Sequence, residues 1–166
     1  MQLRYFLSKI VMGISHHKKI HEFRTLGRRY SDTSILMHEA IARKAGLSGT
    51  DHKYLGLLIE RGALTAGEFS KLTGLTTGAV TGLVDRLEKK NLAKREFDKH
   101  DRRKVIIVPR TETAMKLLQP LFSELDRKTT ELVSSFSDQE LDVLDKYFRS
   151  AIQIMNETIE SLHTDN

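Results

Sequence analysis

Apolar residues recur along most of this chain at intervals of three and four, the period of a helix with one buried face. From about residue 26 the positions Leu26, Tyr30, Met37 and Ile41 keep that spacing, and the segment stops near Gly46. A second helix is expected in "DHKYLGLLIERG", capped by Thr50, with Leu55, Leu58 and Ile59 on one face and Gly62 as its stop. Thr65 and Glu68 then form a capping box, in which each side chain satisfies a backbone N–H at the other's end of the turn. The short helix that follows buries Phe69 and Leu72 and ends at Gly74. Thr76 or Thr77 caps the next one, whose apolar stripe is Val80, Leu83, Val84 and Leu87, and Asn91 ends it in a left-handed conformation.

Beyond Asn91 the pattern changes. "LAKREF" and "KVIIV" read as two strands of a hairpin around "DKHDRR", closed by Pro109. Two long helices follow. The first starts at Thr111 and runs through Met115, Leu118, Phe122, Leu125, Leu132 and Phe136, with a bend expected at Pro120. The second opens with the capping box Ser137–Glu140 and carries Leu141, Leu144, Phe148, Ala151, Ile152, Met155, Ile159 and Leu162. Each exceeds the average helix of about 11–12 residues. The small helix–hairpin unit cannot cover both of their stripes as well as that of 26–45, so burial against a second copy, a two-fold homodimer, is expected.

Composition narrows the classes of function. The chain has 166 residues, 39% hydrophobic and 30% charged, with two prolines and ten glycines, which describes a helix-leaning globular domain. It has no cysteine, which excludes disulfides, thiolate metal sites and cysteine nucleophiles. In "MQLRYFLSKIVMGI" the apolar runs are short, Lys9 interrupts them and no small-residue cleavage site follows. Neither a signal peptide nor a membrane span is read there, and a cytoplasmic location is expected. The net charge of +5 is unevenly placed: residues 1–30 carry seven Lys and Arg against one acid, 86–110 ten against four, and 111–166 five against eleven. Positive charge collected around the hairpin points to a polyanionic partner.

Helix 65–73, a tight turn at Gly74 and helix 76–90 have helix-turn-helix spacing, which places the second helix in the major groove of double-stranded DNA with its N-terminal residues at the base edges. Thr76, Thr77, Gly78, Thr81 and Gly82 lie on its outer side. Small residues permit close approach, and threonine offers a hydroxyl to bases or phosphate and a methyl to thymine. Arg86 on the same helix is a further candidate DNA contact. The hairpin becomes a wing, with Lys99, His100, Arg102 and Arg103 in reach of the backbone or minor groove, and Asp98 and Asp101 orienting its arginines. The expected fold is mainly α with a small β-wing: a basic N-terminal extension over 1–25 compatible with helix, dimerisation helices at 26–49 and 111–162, and a winged helix-turn-helix domain over 50–110.

With these features in place, "GLTTGAVTGLVDRLEKKNLAKREFDKHDRRKVIIVPRTETA" resembles the MarR family of bacterial winged-helix regulators, notably at Val80, Leu83, Leu87, Glu88, Leu92, Arg95, Asp98, Asp101 and Arg103. The flanking helices extend the likeness over roughly 26–162. The resemblance implies a homodimer on a pseudo-palindromic operator, usually a repressor relieved by a small ligand. It also implies a cleft for an aromatic or amphipathic ligand near Tyr30, Met37, His38 and Leu58. His100 stands where that family has a wing arginine, Gly82 where an arginine is frequent, and Asn91 where glycine is common. A winged-helix protein-interaction module without sequence-specific DNA binding is therefore carried as a second reading. His16, His17 and His21 are read as surface residues rather than metal ligands, and no cofactor is expected. No phosphate-cradling loop, nucleophile elbow or apolar carboxylate pair supports an enzyme.

Overall fold

The structure, a computed structural model, describes the backbone of residues 2–98, 101 and 104–164, and the side chains of 15–98, 101 and 104–162. The chain forms two compact units, residues 1–121 and 122–166.

In the first unit, helix α1 runs from Gln2 to Lys44. It begins well before residue 26, where the periodicity first suggests a helix. Where side chains are described, the stretch Ser15–Thr25 ahead of that periodicity is exposed throughout, and no buried face marks it as helix. Gly46, at φ 71°, reverses the chain after α1, with its N–H bonded to Arg43 O and that of Leu47 to Ala42 O. Helix α2 spans Gly49–Arg61, and its cap is Ser48, whose hydroxyl accepts from the Asp51 N–H at 3.0 Å. This corrects the expected cap at Thr50: the helix starts two residues earlier and leaves Thr50 exposed in its first turn.

Strand β1, Leu64–Thr65, leads directly into helix α3, Ala66–Thr73. Both halves of the Thr65–Glu68 capping box form, at 2.7 and 3.2 Å, and these bonds hold the Glu68 carboxyl below its ordinary range. Helix α4 spans Thr77–Lys89 with Thr76 as its cap. Asn91 takes φ 60° as expected, and the chain turns into strand β2, Ala93–Phe97, and strand β3, Val105–Pro109. The sheet order is β1-β3-β2, antiparallel throughout, with Leu64 opposite Ile107 and Arg95 opposite Ile107 on its other side. Sequence reasoning missed β1, because two residues carry no alternation and their partner strand is remote in the chain.

The core joins all these elements. Val80, Leu83, Val84 and Leu87 of α4 are buried with Leu55 and Leu58 of α2, Phe69 of α3, Leu92, Ile107 of β3, Ala42 of α1 and Ala114. The α4 stripe matches the periodic reading at all four positions. Helix α5, Thr111–Ser134, runs through Pro120 without interruption and stops before Phe136.

The second unit holds the rest of α5 and helix α6, Asp138–Thr164. The Ser137–Glu140 capping box forms at 2.9 and 3.4 Å. Along α6, Phe148, Ile152, Met155, Ile159 and Leu162 are exposed, between 49% and 62%. They share one face of the helix as a ladder of exposed apolar surface. No helix among the described residues is long and apolar enough to cross a membrane.

Candidate nucleic-acid interface

Helices α3 and α4 meet at Gly74, whose φ of 71° lies in the left-handed region that favours glycine. Hydrogen bonds from side chains fix this turn. Ser70 Oγ donates to Leu75 O at 2.5 Å, Thr73 Oγ1 donates to Phe69 O at 2.7 Å, and the Leu75 N–H donates back to Thr73 Oγ1 at 3.3 Å. The angle at which α4 leaves the body is thereby set by short polar side chains close to the turn.

At the start of α4, Thr76 Oγ1 accepts from the Ala79 N–H at 3.3 Å. Thr76, Thr77, Gly78, Ala79 and Thr81 are exposed, while the opposite face enters the core. Nothing lies within 4 Å of the position a Gly78 side chain would take, so this end of the helix is open to a close approach. Thr81 Oγ1 donates to Thr77 O at 3.0 Å, which leaves its methyl and an acceptor lone pair outward. The three threonines singled out in the sequence thus share one exposed helix end.

Arg86 has a different setting. Its Nε is 3.1 Å from both carboxylate oxygens of Asp51, its Nη2 is 2.7 Å from Asp51 Oδ1, and its Nη1 donates to Gly82 O at 3.0 Å. This fork raises the Arg86 pKa further above its ordinary value, chiefly through the hydrogen bond to Asp51. Asp51 is buried, and Arg86 joins α2 to α4. Composition and spacing give no hint of the pair, since an acid in the first turn of a helix ordinarily faces water.

At the root of the wing, Arg95 of β2 turns toward α4. Its Nη2 lies 2.7 Å from Asp85 Oδ1 and 3.2 Å from Thr81 O, its Nη1 bonds Glu88, and its backbone N–H donates to Glu88 Oε1 at 2.6 Å. Toward the tip, Asp98 Oδ1 accepts from the Asp101 N–H at 2.9 Å, and the Asp98 N–H reaches Lys104 O at 2.9 Å. Asp98 therefore shapes the turn through the backbone. The wing cations Lys99, His100, Arg102 and Arg103 lie outside the described residues.

A separate cavity of about 600 Å³ lies between α1 and α2, lined by Ile35, His38, Glu39, His52, Tyr54 and Leu57, among others. Of the four residues expected around a ligand cleft, His38 lines it. Leu58 is fully buried in the core, and Tyr30 (70% exposed) and Met37 do not line the cavity. The His38 and His52 rings are 5.5 Å apart. Burial first and the His38 charge second push the His52 pKa below its ordinary 6.5, while Glu39 opposes them. Among the described residues no group of three or more acidic or histidine side chains could hold a metal ion, and His16, His17 and His21 are exposed along α1.

A helix pair joined at a glycine turn, an exposed threonine-rich helix end and a three-stranded wing packed against it define a winged helix-turn-helix protein. The model of the MarR family matches residues 45–104. The uncharacterized HTH-type transcriptional regulator YcgE of Bacillus subtilis (strain 168) is 44% identical over 140 residues, which is 84% of this chain and 88% of that protein. This chain belongs to the MarR family of transcriptional regulators. Its fold is similar to that of a MarR family protein from Bacillus stearothermophilus, with a TM-score of 0.67, 26% identity, and coverage of 84% of this chain and 97% of that one. It is also similar to a mutant of S. aureus MepR bound to an oligodeoxyribonucleotide, with a TM-score of 0.56, 23% identity, and coverage of 80% and 97%.

Proposed function

We propose that this regulator binds double-stranded DNA as a homodimer, recognises a pseudo-palindromic operator, and acts in the cytoplasm as a repressor that a small aromatic or amphipathic ligand releases. The exposed N-terminal end of α4 carries this reading, with Thr76, Thr77 and Thr81 free of the core and the wing anchored beside them. Thr77 and Thr81 meet base edges, and Lys99, His100, Arg102 and Arg103 neutralise phosphate. Supporting the dimer is the exposed apolar ladder of α6, which a second copy would bury. The cavity beside His38 supports the ligand, since its size suits a small molecule and Ile35, Tyr54 and Leu57 give it apolar and aromatic walls.

The test is fluorescence anisotropy with duplexes carrying an inverted repeat from the promoter beside the protein's own gene, against a scrambled duplex, over a range of salt. Tighter binding to the repeat, weakening steeply with salt, is the expected result. Arg103→Ala should lower affinity on both duplexes and make the salt slope shallower by roughly one unit. Equal binding to both duplexes would favour the second reading, a winged-helix protein-interaction module. One feature favours that alternative: Gly82 has no side chain and Arg86 is held on Asp51, so the middle of α4 offers few long side chains to bases.

A further inference from the structure

We propose that Arg95 is a positioning residue that makes the reading helix and the wing one rigid unit, so that discrimination between DNA sequences depends on it; this rests on the DNA-binding function proposed above. Arg95 stands in the middle of β2, the strand that leads into the wing. From there its guanidinium grips α4 at Asp85, at Glu88 and at the Thr81 carbonyl, while its own N–H holds Glu88 a second time. Two turns of α4 are therefore tied to one wing residue, and one tie lands on the backbone of Thr81, whose side chain is on the exposed reading face.

Charge makes the cluster informative. Asp85 and Glu88 are two carboxylates against one guanidinium, a net negative group beside a surface meant for a polyanion. For phosphate binding alone these acids are unfavourable, because they repel the duplex. As the two ends of a fork they are useful, because a planar guanidinium held by several acceptors fixes orientation as well as distance. Asp85 is 61% exposed and is not needed to fill the core, so its place is explained by the fork rather than by packing. The Arg86–Asp51 fork differs in reach: it ties α4 back to α2 and leaves the wing alone. Phosphate contacts set the register of a protein on the duplex, and base contacts read it. A wing free to shift against α4 would keep the first and blur the second.

The experiment uses the full chain and the duplex that the wild type enriches from a random pool, with a random duplex as reference. The variants are Arg95→Lys, which keeps the charge and removes the fork, Asp85→Asn and Glu88→Gln. The last two each raise the net charge by one, so electrostatics alone predicts tighter binding to both duplexes. Positioning predicts that the selected-to-random affinity ratio falls about tenfold in each variant while random binding holds or strengthens. Thermal melts accompany each variant; should Arg95→Lys fail to fold, the exposed Asp85→Asn carries the test. A ratio within about twofold of wild type in Asp85→Asn and Glu88→Gln overturns the inference and leaves the DNA-binding function standing. Equal loss on both duplexes also overturns it, since that is the behaviour of a phosphate contact. A wild type that enriches no sequence overturns the proposed function and this inference together.

Discussion

The Asp51 carboxylate, almost wholly out of water, is gripped by Arg86 from the next-but-one helix, with Nη2 2.7 Å from Oδ1 and Nε 3.1 Å from both oxygens. The two partners are unequally placed: the Asp51 side chain is 4% exposed and that of Arg86 53%. Removing the arginine strands a buried carboxylate, whereas removing the acid leaves a guanidinium that can turn to water. Arg86→Ala should therefore cost about 1–3 kcal/mol of stability, and Asp51→Asn clearly less. Urea midpoints of the two variants and their double mutant check this; a larger loss in Asp51→Asn would contradict the role of burial.

Thr76 and its neighbours Thr77 and Thr81 should separate stability from recognition. Thr76 satisfies the Ala79 N–H, so Thr76→Ala should lower stability by about 1 kcal/mol. Thr77→Ala and Thr81→Ala remove exposed side chains, and should leave the melting temperature nearly unchanged while costing about 1–3 kcal/mol on the operator and little on random DNA. Operator preference that survives both substitutions would mean that α4 is not the reading element.

Asn91 holds φ 60°, with its N–H on Glu88 O at 2.8 Å, in the turn between α4 and β2. Asn91→Gly should be neutral or stabilising, because glycine enters this region without a Cβ clash. Asn91→Val should cost about 1–2 kcal/mol. Guanidinium melts of the pair decide it, and equal midpoints would show that the turn adapts.

His52 supplies a pH dependence. Its folded pKa lies below 6.5, so the unfolded chain takes up the proton first as pH falls. Stability contributed by the neutral form is complete above about 6.5, declines as pH drops through that value, and levels off below the folded pKa. Denaturant melts between about pH 8 and pH 5 should show this decline, reduced in His52→Gln. An unchanged profile in the variant would assign the pH dependence to other groups.

The α6 face provides the assembly test. Ile152, 53% exposed in the single chain, lies within its apolar ladder. Ile152→Glu should convert the protein to a 19.0 kDa monomer in sedimentation, weaken operator binding and leave the melting of the winged unit largely unchanged. A wild type that sediments as a monomer would remove the two-fold operator from the proposal.

Where a structural decision rests on neighbours in the chain, the sequence alone determines it. The Thr65–Glu68 and Ser137–Glu140 boxes, the glycine turn at Gly74, the left-handed Asn91 and the α4 stripe are all set within a few residues, and each could be read before any fold was known. A cap or a buried face leaves its mark at fixed offsets, which is why the helix-turn-helix and its threonine end were legible. Tertiary structure decided what joins remote segments. Leu64–Thr65 becomes a strand because β3 offers its edge. Asp51 is buried because α4 brings Arg86 to it, and Arg95 meets Asp85 and Glu88 because the hairpin folds back over α4. Ahead of residue 26 no such mark was available, because the described stretch Ser15–Thr25 has no buried face. Burial and pairing across the fold depend on where the chain returns in space, and no local spacing encodes that return.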